Sequence, residues 1–118
     1  MKDPIWTPRQ LQRAVTQMSV YADWLCDTGK CEVETGDYAA LWRWSVAQPE
    51  AFWASVWDYC DVRATRNADQ VLLRGDAMPG AQWFAGAQLN FAENLLRFHD
   101  DRIALVACDE RGRRREIS

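Results

Sequence analysis

The chain has little of what catalysis and membranes usually require. Its 118 residues include one histidine, His99, and two lysines, Lys2 and Lys30. His99 is followed by Asp100 and Asp101 with no nucleophile motif nearby, so a surface or helix-capping role is expected rather than general-base work. No Ser/Thr/Gly-rich stretch leads into either lysine, and a loop that cradles a triphosphate with backbone N–H groups and a lysine needs that order. No apolar run approaches the roughly 20 residues of a membrane helix. The start, Met1 to Trp6, lacks the apolar centre of a signal peptide, so a cytoplasmic location with no membrane partner is the expectation. A net charge of −3 gives no electrostatic reason for nucleic-acid binding. The four cysteines, Cys26, Cys31, Cys60 and Cys108, do not form the two tight ligand pairs of a zinc site, and they read as buried or idle thiols in a reducing compartment. There is no internal repeat and no low-complexity stretch.

What the chain has is tryptophan. Seven Trp residues stand in a chain that is 48% hydrophobic, a length and composition suited to one small domain. Each large aromatic buries about 150–250 Å², a large contribution where few residues must supply the core. The same residue is enriched at interfaces, so core and contact surface both remain open for these seven.

Local signals mark out the elements. Thr7-Pro8-Arg9-Gln10 has the form of a helix start with a capping box, and Leu11, Val15, Met18, Ala22 and Leu25 follow as one apolar stripe ending near Gly29. Asp37 is a second cap, with Tyr38, Leu41, Trp42 and Ser45 predicted to share a face. Pro49 opens a third helix, in which Phe52, Val56 and Tyr59 line one edge and Trp53, Trp57 and Cys60 the next, so burial on more than one side is predicted. Asp61 to Gly80 reads as irregular around Val71-Leu72-Leu73, with Pro79-Gly80 as a turn. Asn90 and Glu93 form a cap for a helix through about Phe98. Ile103 to Cys108 is the best strand, and Asp109 to Arg113 a hairpin turn with Gly112 at positive φ. The returning strand begins near Arg114 and stops at Ser118, a break that suggests truncation.

Other candidate sites read more simply as structure. Arg111, Arg113, Arg114 and Arg115 could meet a phosphate, but a tight turn diluted by Asp109, Glu110 and Glu116 favours a solvated loop. Gly75, Gly80 and Gly86 lack the preceding strand of a dinucleotide loop. Asp100 and Asp101 are adjacent rather than set across a cleft. Asn90 and Glu93 serve as caps rather than ligands.

Two blocks carry a resemblance. Tyr38 to Trp53 contains Trp44-Ser45-Val46, Pro49-Glu50 and Phe52-Trp53; Met78 to Leu96 contains Trp83-Phe84, Gly86 and Leu89-Asn90. Together they resemble the N-terminal region of acetoacetyl-CoA synthetases, AMP-forming acid–CoA ligases of the adenylate-forming superfamily. Acetyl- and propionyl-CoA synthetases share a similar second block, which in the acetyl members usually continues with another Gly and a Tyr-Asn-Cys-Leu-Asp-Arg-like run. This chain has Ala87 and Ala92-Glu93-Asn94-Leu95-Leu96 there.

The resemblance implies an α+β chain: residues 1–100 as a mostly helical N-terminal cap, and residues 101–118 as the first β-hairpin of a truncated adenylation (AMP-binding) domain. It implies a parent ligase of lipid metabolism that joins acetoacetate to CoA using ATP and Mg²⁺, with AMP and pyrophosphate released. The family's signature motifs lie beyond Ser118, so no catalytic, cofactor-binding or metal residue is assigned within this segment, and it is expected to be inactive alone. Its implied partners are its own adenylation domain and, for the parent, acetoacetate, ATP and CoA. Trp42, Trp44, Phe52, Trp53, Trp83 and Phe84 become anchors within the cap or against that domain. Two alternatives stand beside this: a self-contained helical interaction module with a Trp-rich face, and the same segment of an acetyl- or propionyl-CoA synthetase.

Overall fold

A computed structural model of the chain describes residues 15–34 and 36–118. Three helices come first: α1 (Gln17–Asp27), α2 (Tyr38–Ala47) and α3 (Pro49–Tyr59). An antiparallel pair follows, β1 (Gln70–Leu73) with β2 (Gln82–Ala85), then a short helix α4 (Phe91–Leu95). A second antiparallel pair, β3 (Leu105–Cys108) and β4 (Arg114–Ile117), comes last. The fold is α+β, as expected.

The predicted start at Thr7 to Gln10 lies outside the described residues. The helix that is described begins at Gln17, because Thr16 is extended (φ −73, ψ 149) and its hydroxyl accepts from the Ser19 N–H at 3.2 Å. The predicted stripe is also rotated. Ala22 and Leu25 are buried, but Val15 and Met18 are exposed, and Ser19 and Tyr21 take the inward positions. Gly29 ends α1 as expected, at φ +66: its N–H reaches the Cys26 carbonyl at 3.0 Å and that of Lys30 the Leu25 carbonyl at 2.9 Å, a Schellman closure.

Asp37 caps α2 by accepting from the Ala40 N–H at 2.8 Å. The face predicted for this helix is wrong in part. Leu41 is buried and Trp44 packs beside it, while Tyr38 and Trp42 are exposed. The 3.6-residue period allows either stripe, and the contact of Trp44 with Phe52 of α3 selects one.

Helix α3 begins at Pro49 and is packed on two sides, as its circumference of apolar residues predicts. Phe52, Val56 and Tyr59 lie against the core of Tyr21, Leu25, Val33 and Leu41. On the other side, Trp53 and Trp57 meet Trp83 and Phe84 of β2.

The segment expected to be irregular holds a strand instead. Val71-Leu72-Leu73 belongs to β1, paired with β2 in the register Gln70↔Ala85, Leu72↔Trp83 and Leu73↔Gln82. Pairing with a partner beyond an eight-residue connection is what turns this short apolar run into a strand. Asn90 caps α4 by accepting from the Ala92 and Glu93 N–H groups at 2.9 and 3.3 Å, but the helix closes at Leu95, short of Phe98. In the last hairpin Gly112 sits at φ +74 and the Asp109 carboxylate accepts the Arg111 and Arg113 N–H groups, so the predicted turn is present. No helix among the described residues is long and apolar enough to cross a membrane.

Candidate functional site

Helix α3 organises the aromatics. Tyr21 of α1 lies 4.9 Å from the Tyr59 ring and meets Phe52 edge-on at 6.4 Å. Trp24 packs on Tyr59 at 5.3 Å, and Trp44 meets Phe52 edge-on at 5.8 Å. Trp53 continues the run to Trp83 (5.9 Å, 69° between planes), and Trp57 lies on Phe84 at 4.5 Å. Edge-to-face contacts of this kind add about 0.5–1.5 kcal/mol each beyond the area they bury. At the centre, the Tyr21 hydroxyl meets that of Ser55, which donates to the Phe52 carbonyl at 2.7 Å. That leaves Tyr21 as donor within the pair. Burial pushes the Tyr21 phenol up, and the bond to Ser55 opposes the shift only in part. A neutral, fully bonded phenol at this position packs and orients; it has no proton to exchange near neutral pH.

Two polar clasps hold the remainder. In the first, the Arg66 guanidinium grips both oxygens of Asp69 at 2.8 Å and donates to the Gly86 carbonyl at 2.7 Å. Gly86 has φ +82, and a Cβ there would stand 2.3 Å from Asp69 Oδ2 and 2.8 Å from Arg66 Nη1. The backbone at this position favours glycine, and a Cβ would also push aside the side-chain ends that form the clasp. In the second clasp, Asn94 exchanges two bonds with the Arg63 backbone, at 2.7 and 2.8 Å. Arg97 donates to the Cys60 and Asp61 carbonyls at 2.9 and 2.8 Å. Arg66, Asp69 and Arg97 belong to no motif that the sequence displays.

The residues that were singled out lie apart from one another. His99 is exposed in the loop after α4. Arg113 pairs with Asp109 at 2.6 Å and Arg114 with Glu116 at 2.6 Å, so half of the arginine cluster is neutralised within its own hairpin. Asp100 binds the Arg102 guanidinium, which holds its carboxyl below the ordinary aspartate range. Cys26, Cys60 and Cys108 are exposed free thiols, and Cys31 is half-buried with its thiol pushed up by desolvation. Among the described residues no three His, Cys, Asp or Glu side chains are grouped to hold a metal ion. The cleft between α3 and β1, lined by Trp57, Asp58, Asn67 and Phe84, has a volume of about 190 Å³. Ligand pockets usually begin near ~300 Å³; the clefts that exceed this, about 490 Å³ along the β3–β4 hairpin and about 530 Å³ beside Pro49, Ala54 and Leu72, lie open to solvent. The arrangement presents a surface more than it encloses a reactant.

That surface is extensive. Phe91, Leu95, Leu96 and Phe98 lie open around α4, and both faces of the β3–β4 hairpin are exposed.

Comparison with known proteins shows the kinship of this stretch. Residues 38–95, from the first turn of α2 to the end of α4, match the family described as acetyl-coenzyme A synthetase N-terminus. This stretch belongs to that family. The chain is similar to the N-terminal region of acetoacetyl-CoA synthetases: it is 37% identical over 103 residues to the enzyme of Rhizobium meliloti, a match covering 87% of this chain and 15% of the relative. It is 43% identical over 84 residues to a malonamoyl-CoA synthetase of Penicillium aethiopicum, covering 65% of this chain and 12% of that protein. An acetoacetyl-CoA synthetase structure from Streptomyces lividans superposes with a TM-score of 0.73 at 39% identity, over 81% of this chain and 15% of that one. The chain thus spans about an eighth to a sixth of the relatives it matches. The matched stretch contains α3, the Arg66–Asp69–Gly86 clasp and Asn94, so the family's sequence blocks coincide with the parts that hold one another in place.

Proposed function

We propose that this chain is the N-terminal segment of an AMP-forming acetoacetate–CoA ligase and is not catalytic by itself. Residues 1–100 are its cap and residues 101–118 the first hairpin of its adenylation domain. The observation that carries this reading is the open apolar surface around α4, where Phe91, Leu95, Leu96 and Phe98 are exposed. Together with the exposed terminal hairpin, it is what a segment packed against a larger body would present.

In the proposed parent, acetoacetate attacks ATP to form an acyl-adenylate with loss of pyrophosphate, and the CoA thiol then displaces AMP. Mg²⁺ and the triphosphate would be held outside this segment. The choice of acyl group follows from the relatives' names. Acetoacetyl and malonamoyl groups have the same skeleton, a carbonyl at C3, and differ by methyl against amide nitrogen. A short carboxylate with a carbonyl at C3 is therefore the substrate class, and acetoacetate the first member to test.

The test uses two proteins, the 118-residue chain and the longest product of its gene. The short chain is expected to release no pyrophosphate from ATP with acetoacetate and CoA. The long product is expected to turn over acetoacetate with kcat/KM at least tenfold above acetate. Turnover by the short chain, or a preference for acetate, overturns the proposal.

A further inference from the structure

Helix α4 has five residues, too few to persist without support. Neither it nor the β3–β4 hairpin packs extensively on α1–α3 or on the β1–β2 pair. Among the described residues, the hydrogen bonds from residues 90–118 back to the preceding chain converge on three residues, Cys60, Asp61 and Arg63. Asn94 pairs with the Arg63 backbone in both directions, like one rung of a sheet. Arg97 spans the Cys60 and Asp61 carbonyls where α3 ends, and its Nη1 stands 3.5 Å from the Asp61 carboxylate. The Cys60 carbonyl, at the C-cap, lies at the negative end of the α3 dipole, where a cation is favoured. Asp61 is at φ +49, which turns its carbonyl out of the helical direction. On the far side, the Phe98 ring lies under both Arg97 (5.5 Å) and Arg102 (4.5 Å), so the latching arginine also touches the first residue of the segment leading to the hairpin.

We infer that Asn94 and Arg97 form a polar latch on the C-terminal end of α3, which engages and releases as one unit and sets where residues 98–118 are carried. The energetic contrast supports a unit that opens separately. The helical core is held by packed aromatics, whereas the latch is held by two neutral bonds of Asn94 and two charge-assisted bonds of Arg97 at a partly exposed site, with almost no apolar burial to couple the two. Arg97 is a positioning residue here, and the inference stands whatever reaction the parent performs.

Hydrogen exchange on the 118-residue chain, read by mass spectrometry, tests it. Residues 60–63 and 90–97 should exchange with a common opening rate, and 1 M salt should raise both while leaving α2 and α3 within twofold. Arg97→Ala should raise exchange at least tenfold in both segments, again sparing α2 and α3. Asn94→Ala should give the same pattern through the other half of the latch. Arg97→Lys, which keeps the charge but not the two-carbonyl fork, should fall between wild type and alanine. A response in only one segment, uniform loss of protection along the whole chain, or no response overturns the inference.

Discussion

The hydroxyls of Tyr21 and Ser55 meet 2.5 Å apart inside the helical core and join α1 to α3 across 34 residues of sequence. The two partners are not equivalent. Ser55→Ala leaves a buried phenol without an acceptor and is expected to cost about 1–3 kcal/mol. Tyr21→Phe leaves Ser55 still bonded to the Phe52 carbonyl and should cost under about 1 kcal/mol. Urea denaturation of both variants checks the order; a larger loss for Tyr21→Phe would mean the donor assignment is reversed.

Trp42 and Trp44 are two residues apart and have opposite fates. Trp44 packs on Phe52 and Leu41, so Trp44→Ala should lose about 2–4 kcal/mol, somewhat less than a fully buried site because the ring is part-exposed. Trp42 is 55% exposed, and Trp42→Ala should stay within about 0.5 kcal/mol. Thermal unfolding of the two variants side by side decides between the two possible faces of α2.

Gly86→Ala should be among the costlier single-methyl changes in the chain. The added carbon meets Asp69 and Arg66 and forces alanine into a left-handed backbone at φ +82. A loss of about 1–3 kcal/mol is expected. Gly36→Ala is the control. It has positive φ with open space around it, and should show the backbone cost alone. Equal losses at the two sites would remove the clasp from the explanation.

The terminal hairpin should weaken in acid. The Arg113 backbone N–H, followed by the Arg113 guanidinium, holds the Asp109 carboxyl below the ordinary aspartate range. Its folded pKa is thus lower than its unfolded one. The turn gains this stability above the unfolded value and loses it as pH falls through the depressed folded value. An acid titration of the Arg111 and Arg113 amide NMR shifts should follow that midpoint, and Asp109→Asn should abolish the titration.

Elements with short-range chemistry were legible in the sequence. The Asp37 and Asn90 caps, Pro49 at a first helical position, Gly29 and Gly112 at positive φ and the two-sided α3 all rest on residues within a turn of one another. The misses share a different cause. Val71 to Leu73 becomes a strand only because Trp83 and its neighbours come back to pair with it. The buried edge of α2 was ambiguous because periodicity gives a stripe without saying what faces it. Asn94 and Arg97 act on backbone carbonyls and amides more than 30 residues earlier, and a carbonyl has no letter in the sequence. The Trp-rich blocks disclosed kinship more readily than they disclosed which Trp faces inward.

The two indoles of Trp53 and Trp83, edge to face at 5.9 Å, have an optical consequence. Chromophores this close and this steeply inclined exchange excitation, and the coupling should appear as a paired positive and negative band in far-ultraviolet circular dichroism. One indole sits on α3 and the other on β2, so the couplet depends on the seating of the strand pair against the helix and is insensitive to helix content as such. The chain carries its own spectroscopic ruler for that one joint, with no label attached.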